Sequence, residues 1–329
     1  MAVVGLDCDV AIVGSGGGAF AAAIAARRRE LRVVMIERAT IGGTCVNVGC
    51  IPSKALLAAA ETRHRAGVHR FPGMTTEAGP VDFGALIAGK REIVETMRQE
   101  KYVDLAHEYG IQLVEGNARF VDGPALDVDG RRVEAQHYLV ATGSEPRIPE
   151  IRGLRDSGYL TSTTAMALDR LPASMIVLGG GYVALEQAQL FAHLGTRVRV
   201  LVRSRLARRE EPEIVAGISD VFAADGIEVI EEVQVTAVRR EDGNVVVATS
   251  GGEFGAEQLL VATGRVLGVH LLAEGAGDAV LAGIYAIEAR RTVADLADSW
   301  DPYLTIGEAI HLAALAFTRD PSKLSCCAA

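Results

Sequence analysis

Two closely spaced cysteines are the residues of this chain best suited to chemistry. Cys45 and Cys50 lie five residues apart in the segment 42–54, which reads GGTCVNVGCIPSK. Two thiols at this spacing are within reach of a disulfide, as a redox-active dithiol requires. The alternatives are two incidental loop cysteines or half of a zinc site. A zinc site needs a second pair of ligands, and none follows at ordinary spacing.

The residues after Cys50 predict the helix that positions it. Pro52 is favoured at the first position of a helix, and the segment from Lys54 to Ala60 consists of good helix formers. Cys50 is therefore expected close to a helix N-terminus, where the positive end of the helix dipole stabilises a thiolate. Cys45 is expected in the loop before this helix.

The segment 42–54 resembles the active-site signature of the flavin-dependent pyridine nucleotide-disulfide oxidoreductases, and the similarity extends over nearly the whole chain. The resemblance implies that the two cysteines are the redox-active pair and that FAD is bound. It also implies that Lys54 pairs with Glu186 near the flavin, the alternative being an ordinary surface charge at each position. The other flavin-binding residues that it implies are Gly43, Thr44, Thr142 and Gly143.

A glycine-rich turn near the start of the chain predicts a dinucleotide site. Gly14, Gly16 and Ala19 form a G-x-G-x-x-A pattern between a buried strand and an alanine-rich helix. The first glycine permits the tight turn, the second lets a pyrophosphate approach the backbone, and the alanine allows close packing of helix on strand. Glu37 ends the next strand, where an acid can bind a ribose hydroxyl. The alternative is a plain tight turn, but the position in the chain indicates FAD.

The same pattern recurs in the second half of the chain. Gly179, Gly181 and Ala184 again lie between a strand and a helix, and Arg203 follows the next strand. An arginine at the position where NAD sites place an acid suits a 2′-phosphate, so NADPH is the expected nucleotide. The alternative for this arginine is a solvated basic stretch.

These elements predict an α/β fold with two Rossmann-like, three-layer domains and a truncated α+β dimerisation segment. We expect an FAD-binding domain at 1–147, an NADPH-binding domain at 148–265 and a dimerisation remnant at 266–329. Helix is expected from Val81 to Tyr109. Relative to the resembling family, a piece of ~100 residues or more is missing after Arg265. The flavin domain therefore lacks its C-terminal part. Family members are homodimers.

The last residues of the chain resemble the tail of one branch of the family, the mercuric reductases. Cys326 and Cys327 are adjacent there, and soft thiolates suit Hg(II). The alternatives are a disordered tail or a lipidation site. Tyr303 stands where disulfide reductases carry a proton-donating histidine. Tyr303 and Tyr102 match tyrosines that line the metal site in the family, although Tyr102 is most simply a packed aromatic.

The composition excludes several classes of function. The 329 residues are 49% apolar and 23% charged, as is ordinary for a globular protein, and the net charge of −9 argues against a nucleic-acid surface. No apolar run is long enough to span a bilayer, and the start of the chain lacks the basic region of a signal peptide. The expected location is the cytosol. Cys8 matches no functional position and is expected to be a small buried hydrophobe.

Three functional hypotheses follow. The first is reduction of Hg(II) to Hg(0) by NADPH and FAD through the dithiol Cys45 and Cys50, with activity lowered by the missing piece. The second is a disulfide reductase such as a dihydrolipoamide dehydrogenase, against which Tyr303 and the terminal cysteines argue. The third is a non-catalytic remnant that only binds Hg(II) or nucleotide.

Overall fold

The computed structural model describes residues 6–68, 73–123, 125–143, 145–146 and 148–263. Its helices are α1 (Gly17–Arg27), α2 (Gly43–Val48), α3 (Cys50–Gly67), α4 (Phe83–Arg98), α5 (Asp104–Glu108), α6 (Ser162–Ala165), α7 (Tyr182–Leu194) and α8 (Pro212–Ala224), with a π-helical turn (Gln99–Val103) and a 3-10 turn (Arg155–Ser157). Its strands are β1 (Leu6–Val13), β2 (Val33–Glu37), β3 (Gln112–Glu115), β4 (Ala118–Val121), β5 (Ala125–Val128), β6 (Arg131–Val140), β7 (Ser174–Leu178), β8 (Arg197–Leu201), β9 (Glu228–Ile230), β10 (Val235–Glu241), β11 (Asn244–Thr249), β12 (Gly252–Ala256) and β13 (Gln258–Val261). None of the described helices is both long and apolar enough to cross a membrane.

The first sheet has six strands in the order β3-β2-β1-β6-β5-β4. Strands β3, β2, β1 and β6 are parallel, whereas β6, β5 and β4 pair antiparallel. Residues on both faces of the parallel part are buried, with Ile12 and Met35 packed against Phe20 of α1 and Val34 on the opposite face. Strands that are covered on both sides are apolar throughout, which explains the unbroken run of hydrophobic residues in β2.

The second sheet has four parallel strands in the order β13-β7-β8-β9. A separate antiparallel sheet contains β10, β11 and β12. Helices α3 and α7 pack on the parallel sheet through one cluster that includes Leu56, Ala60, Ala188, Phe191 and Val177. Helix α3 follows the first glycine turn in the chain. Its buried side chains nevertheless pack in the same cluster as those of α7, the helix that follows the second glycine turn.

The described residues up to 208 and those from 217 to 263 form one compact unit. Both parallel sheets belong to this unit. The predicted α/β class with two Rossmann-like halves is confirmed. The domain boundaries at 147 and 265 stay predictions, and the segment 266–329 lies outside the described residues.

The expected single helix from Val81 to Tyr109 is wrong in one respect. It is divided into α4, the π-helical turn and α5, because the Asp104 amide bonds to the Gln99 carbonyl five residues earlier. The wider turn changes the direction of the side chains that follow, and such turns are frequent at functional sites. Tyr102 lies in this turn, with its ring edge-on to Phe20 at a centroid distance of 4.9 Å.

Candidate active site

The first glycine turn presents the uncapped start of α1. Gly16 is the N-cap residue in an extended conformation, and no side chain bonds to the amides of the first helical turn. Gly14 has φ +108°, and a Cβ there would lie 2.2 Å from the carbonyl oxygen of Ala141. Only glycine fits that position, and free amides at a helix start attract phosphate oxygens. The turn therefore fits the pyrophosphate of a dinucleotide.

A buried serine links this turn to the acid at the end of β2. The Ser15 hydroxyl donates a 2.6 Å hydrogen bond to Glu37 and accepts one of 3.1 Å from the Gly42 amide. The Ala39 amide also donates to the Glu37 carboxylate at 2.9 Å. Because β1 and β2 are parallel neighbours, Glu37 lies beside the turn, as a ribose ligand requires.

The cysteine pair spans two consecutive helices. Cys45 lies within α2 and not in a loop as expected, and Cys50 is the first residue of α3. Pro52 is the third residue of α3, where the missing amide proton is equally harmless because first-turn amides have no partner within the helix. Both cysteines are exposed free thiols.

The two cysteine side chains are in contact. Partial burial, followed by a side-chain hydrogen bond with Cys50 and the charge of Cys50, raises the pKa of Cys45 to about 11, whereas a hydrogen bond with the Cys50 backbone lowers it. The Cys45 thiol is therefore protonated at neutral pH, and a metal ion that binds its sulfur must displace this proton.

The segment that carries the cysteines is fixed by glycine packing and one asparagine. Gly43 has φ +63°, and a Cβ on it would lie 2.6 Å from the Gly16 Cα. The Asn47 amide group donates to the carbonyls of Ile41 and Gly43, and its oxygen accepts from Arg98 of α4 at 3.0 Å. The dithiol segment is thus held directly against the first glycine turn.

Tyr102 lies beside the cysteines. Burial first, and then the charges of Cys45 and Cys50, raise the pKa of its hydroxyl. Its ring lies 3.3 Å from where a Cβ on Gly42 would stand. The hydroxyl therefore stays protonated over the physiological pH range and can donate a hydrogen bond to an anionic sulfur.

An ion pair joins the dithiol helix to the helix after the second turn. Lys54, one turn beyond Cys50 on α3, contacts the carboxylate of Glu186 on α7. The pairing that the family resemblance implied is therefore present between the two side chains. Both are partly exposed, at 61% and 37% of their side-chain surface, so the pair contributes little to stability by itself.

The second glycine turn repeats the geometry of the first. Gly181 is the N-cap of α7, and no side chain bonds to the first-turn amides. Gly179 has φ +139°, and a Cβ there would meet the Ala262 carbonyl at 2.4 Å. The loop after β8 lies against this turn, since the Ala207 amide donates to the Gly180 carbonyl at 2.8 Å. Arg203 is the second residue of that loop and is exposed.

The sequence pattern of the Pyridine nucleotide-disulphide oxidoreductase family matches residues 8–292. That range includes both glycine turns and the cysteine pair. This chain belongs to that family. The predicted resemblance is confirmed, and FAD with a nicotinamide nucleotide are the cofactors that the family uses.

Several relatives of this family member are mercuric reductases. The enzyme of Streptomyces lividans is 42% identical over 97% of this chain and 98% of its own length. That of Staphylococcus aureus is 30% identical over 98% of this chain and 84% of its own length. The first alignment extends over 466 positions, whereas this chain has 329 residues. The Streptomyces protein therefore contains stretches that have no counterpart here.

Solved structures of the family give the same fold. A Cu(II) complex of the HOCl-induced flavoprotein disulfide reductase RclA from Escherichia coli superposes with a TM-score of 0.70 at 27% identity. The match covers 79% of this chain and 57% of that chain, so this family member spans somewhat more than half of the solved relative.

The described site residues form two groups, one at the ends of β1 and β6 and one after β7, and the contact of Lys54 with Glu186 joins the two groups. Thr44 follows Gly43 in α2, and Thr142 and Gly143 follow β6 next to the first turn. Ala19 and Ala184 are buried under their strands. Tyr303, Cys326 and Cys327 lie outside the described residues. Cys8 is buried, and burial raises its thiol pKa, as expected of a small hydrophobe.

Sequence reasoning missed three residues that hold the site. Ser15 ties Glu37 to the dithiol segment, and Asn47 with Arg98 ties that segment to α4. A serine inside a glycine turn and an asparagine between two active cysteines are the signals that could have identified the first two. Nothing local marks Arg98, because its role depends on how α4 packs.

Proposed function

We propose that this chain catalyses the reduction of Hg(II) by NADPH. In the balanced reaction NADPH and Hg²⁺ give NADP⁺, H⁺ and Hg(0). The observation that carries the proposal is the contacting thiol pair of Cys45 and Cys50 at the start of α3. The 42% identity to a mercuric reductase over 97% of the chain supports the choice of metal.

The thiol pair serves as the immediate ligand of the substrate. Two sulfurs in contact suit Hg(II), which prefers soft ligands. Because the Cys45 pKa is raised to about 11, binding releases a proton that the Cys45 thiol carries at neutral pH. Tyr102 is proposed to donate its hydroxyl proton in a hydrogen bond to a sulfur and to orient the bound ion.

The surrounding residues hold the cofactors in place. Bound FAD would supply the two-electron redox chemistry that connects the reduced nicotinamide to the substrate. The chain supplies anion sites at the starts of α1 and α7, a ribose ligand in Glu37, and the Lys54–Glu186 pair, which is proposed to lie near the flavin. Gly43, Thr44, Thr142 and Gly143 are proposed to contact the flavin.

Arg203 is proposed to select NADPH over NADH. It is exposed and follows β8, the parallel neighbour of β7, from which the second glycine turn begins. A guanidinium there can bind a 2′-phosphate, which NADH lacks. Replacing it with alanine should raise KM for NADPH and leave KM for NADH nearly unchanged. An unchanged preference would contradict this role.

The tail and the missing piece set the expected level of activity. Cys326 and Cys327 are proposed to capture Hg(II) and pass it to the dithiol, with Tyr303 lining the metal site. In the proposed organisation a flavin domain at 1–147 lacks its C-terminal part, and 266–329 is a remnant of the dimerisation domain. We therefore expect weak FAD retention and slow turnover.

The test compares substrates on the purified chain with FAD added in excess. We expect NADPH oxidation that depends on Hg(II), and little with lipoamide or glutathione disulfide. The Cys50→Ser variant should lose the Hg(II)-dependent rate, whereas the matched Cys8→Ala variant should keep it, because Cys8 is buried away from the site.

Two results would change the assignment. Oxidation of NADPH by lipoamide but not by Hg(II) would identify a disulfide reductase, the activity named in the solved relatives. NADPH binding without FAD binding or turnover would identify a non-catalytic remnant. The absorption spectrum of the purified chain with added FAD separates the last case from the other two.

A further inference from the structure

Two histidines and an aspartate meet far from the dithiol, where α3 and α7 end and α8 is followed by a turn. His193 Nε2 lies 2.9 Å from Asp225 Oδ2, and His64 Nε2 lies 3.5 Å from Asp225 Oδ1. One ligand atom from each residue lies within 4.8 Å of the others. His64 is 14 residues beyond Cys50 on α3, about 21 Å along the helix.

Local geometry fixes all three side chains. Gly195 ends α7 with φ +109°, and Gly226 ends α8 with φ +72°, so His193 and Asp225 both belong to tightly closed helix ends. The Arg63 guanidinium donates to the His193 carbonyl at 2.8 Å, which holds α3 against α7. The side chains of His193 and Asp225 are only 5% and 7% exposed, whereas His64 is 24% exposed.

A second layer of polar groups surrounds the three. Glu61 Oε2 lies 3.4 Å from His193 Nδ1, and the Gln189 amide donates to Asp225 at 2.9 Å. A carboxylate on the far nitrogen of an imidazole is the usual support of a metal-binding histidine. A metal ion would replace the proton that lies between His193 Nε2 and Asp225, and Glu61 would then accept a hydrogen bond from the far nitrogen.

We propose that His64, His193 and Asp225 bind a divalent transition-metal ion of the Zn²⁺ type. Imidazole and carboxylate are ligands of this class of ion. Ligands at 2.0–2.2 Å from a tetrahedral Zn²⁺ lie about 3.3–3.6 Å from each other. Of the two nitrogen-to-oxygen distances, 3.5 Å lies within that range and 2.9 Å lies below it.

Binding requires one local rearrangement. The two imidazole rings are stacked, with centroids 3.9 Å apart and planes within 12°, so their nitrogen lone pairs lie in two nearly parallel planes and do not converge on one point. Rotation of the His64 ring, which is the more exposed, brings both nitrogens onto one ion. Water supplies the fourth position on the exposed side. The ion then joins α3 to the ends of α7 and α8.

The test must separate this site from the thiols, which also bind such ions. The full chain, without an affinity tag, is prepared with Cys45, Cys50, Cys326 and Cys327 all replaced by serine, and is titrated with Co²⁺ as a spectroscopic probe and with Zn²⁺ in competition. We expect one equivalent of Co²⁺ with d–d bands but no thiolate-to-cobalt charge-transfer band, displaced by one equivalent of Zn²⁺.

Variants in the same background assign the ligands. Glu61→Gln should weaken binding about 10- to 100-fold, as loss of a supporting carboxylate does. His64→Gln and Asp225→Asn should weaken it at least as much. His107→Gln, at an exposed histidine of α5, should bind as the parent does. No uptake by the serine background, or equal uptake by His64→Gln and Asp225→Asn, would overturn the proposal. Circular dichroism confirms that each variant is folded.

Discussion

Replacing Gly43 with alanine tests the close contact between the dithiol segment and the first glycine turn. The new Cβ would lie 2.6 Å from the Gly16 Cα and 3.2 Å from the Gly16 nitrogen. Both are backbone atoms, so no side chain can rotate to make room. The two segments must separate by about 0.8 Å to reach an ordinary contact distance of about 3.4 Å.

The expected loss of stability has two parts. Alanine in the left-handed conformation that Gly43 adopts, with φ +63°, costs about 1–2 kcal/mol. Forcing a methyl group into a packed contact costs about 1–3 kcal/mol more. The free energy of unfolding should therefore fall by about 2–5 kcal/mol. FAD affinity should fall as well, because Gly16 is the N-cap of the helix that would receive the pyrophosphate.

Urea unfolding and FAD titration measure the two effects. Gly89→Ala is the matched control, since Gly89 lies within α4 and a Cβ there meets no atom within 4 Å. It should raise stability by about 0.5–1 kcal/mol and leave FAD affinity unchanged. If Gly43→Ala unfolded at the wild-type urea midpoint and bound FAD equally well, the reasoning about this contact would be refuted.

Two substitutions and one pH titration provide further tests of the site. Ser15→Ala leaves the Gly42 amide without its acceptor, so urea unfolding should show a loss of about 1–3 kcal/mol; an unchanged midpoint would mean that water replaces the hydroxyl. Tyr102→Phe keeps the ring packing and should lower the Hg(II)-dependent rate while stability changes by less than about 0.5 kcal/mol; an unchanged rate would remove Tyr102 from the mechanism. Because the Cys45 pKa is raised to about 11, the rate at which this thiol is alkylated should rise about tenfold per pH unit from pH 8 to 10, as measured by peptide mapping. A rate that reached a plateau near pH 9 would contradict the raised pKa. The raised pKa of Cys45 means that the folded state favours the neutral thiol. The resulting contribution to the free energy of unfolding is present below about pH 9 and is lost as the pH rises through about 11.

The parts of the site that depend on local geometry could be predicted from the sequence. A glycine with positive φ leaves a clear signal, which is why the turns at Gly14 and Gly179 were predicted with the correct strand and helix on either side. The family resemblance correctly implied contact between Lys54 and Glu186, although 132 positions separate them.

Features that depend on tertiary packing could not be predicted in this way. The π-helical turn at Tyr102 has no sequence signature of its own, because nothing in the residues around it distinguishes a wider turn from a continuous α-helix. Cys45 was expected in a loop, because the glycines that surround it are typical of loops. The structure has a helix of six residues there. The group of His64, His193 and Asp225 comes from three distant segments and became visible only once α3, α7 and α8 were packed.

Helix α3 has a consequence for the way in which this protein opens. It begins at Cys50, carries Lys54 one turn later, and ends in the contacts of Arg63 and His64 with α7 and with the turn after α8. A helix anchored at both ends exchanges its amide hydrogens as one cooperative unit rather than fraying residue by residue. Detachment of α3 is then a single opening event. It moves Cys50 and Lys54 away from the site and at the same time breaks the contacts of Arg63 and His64. Hydrogen exchange along α3 should accordingly report one shared opening free energy from its first turn to its last.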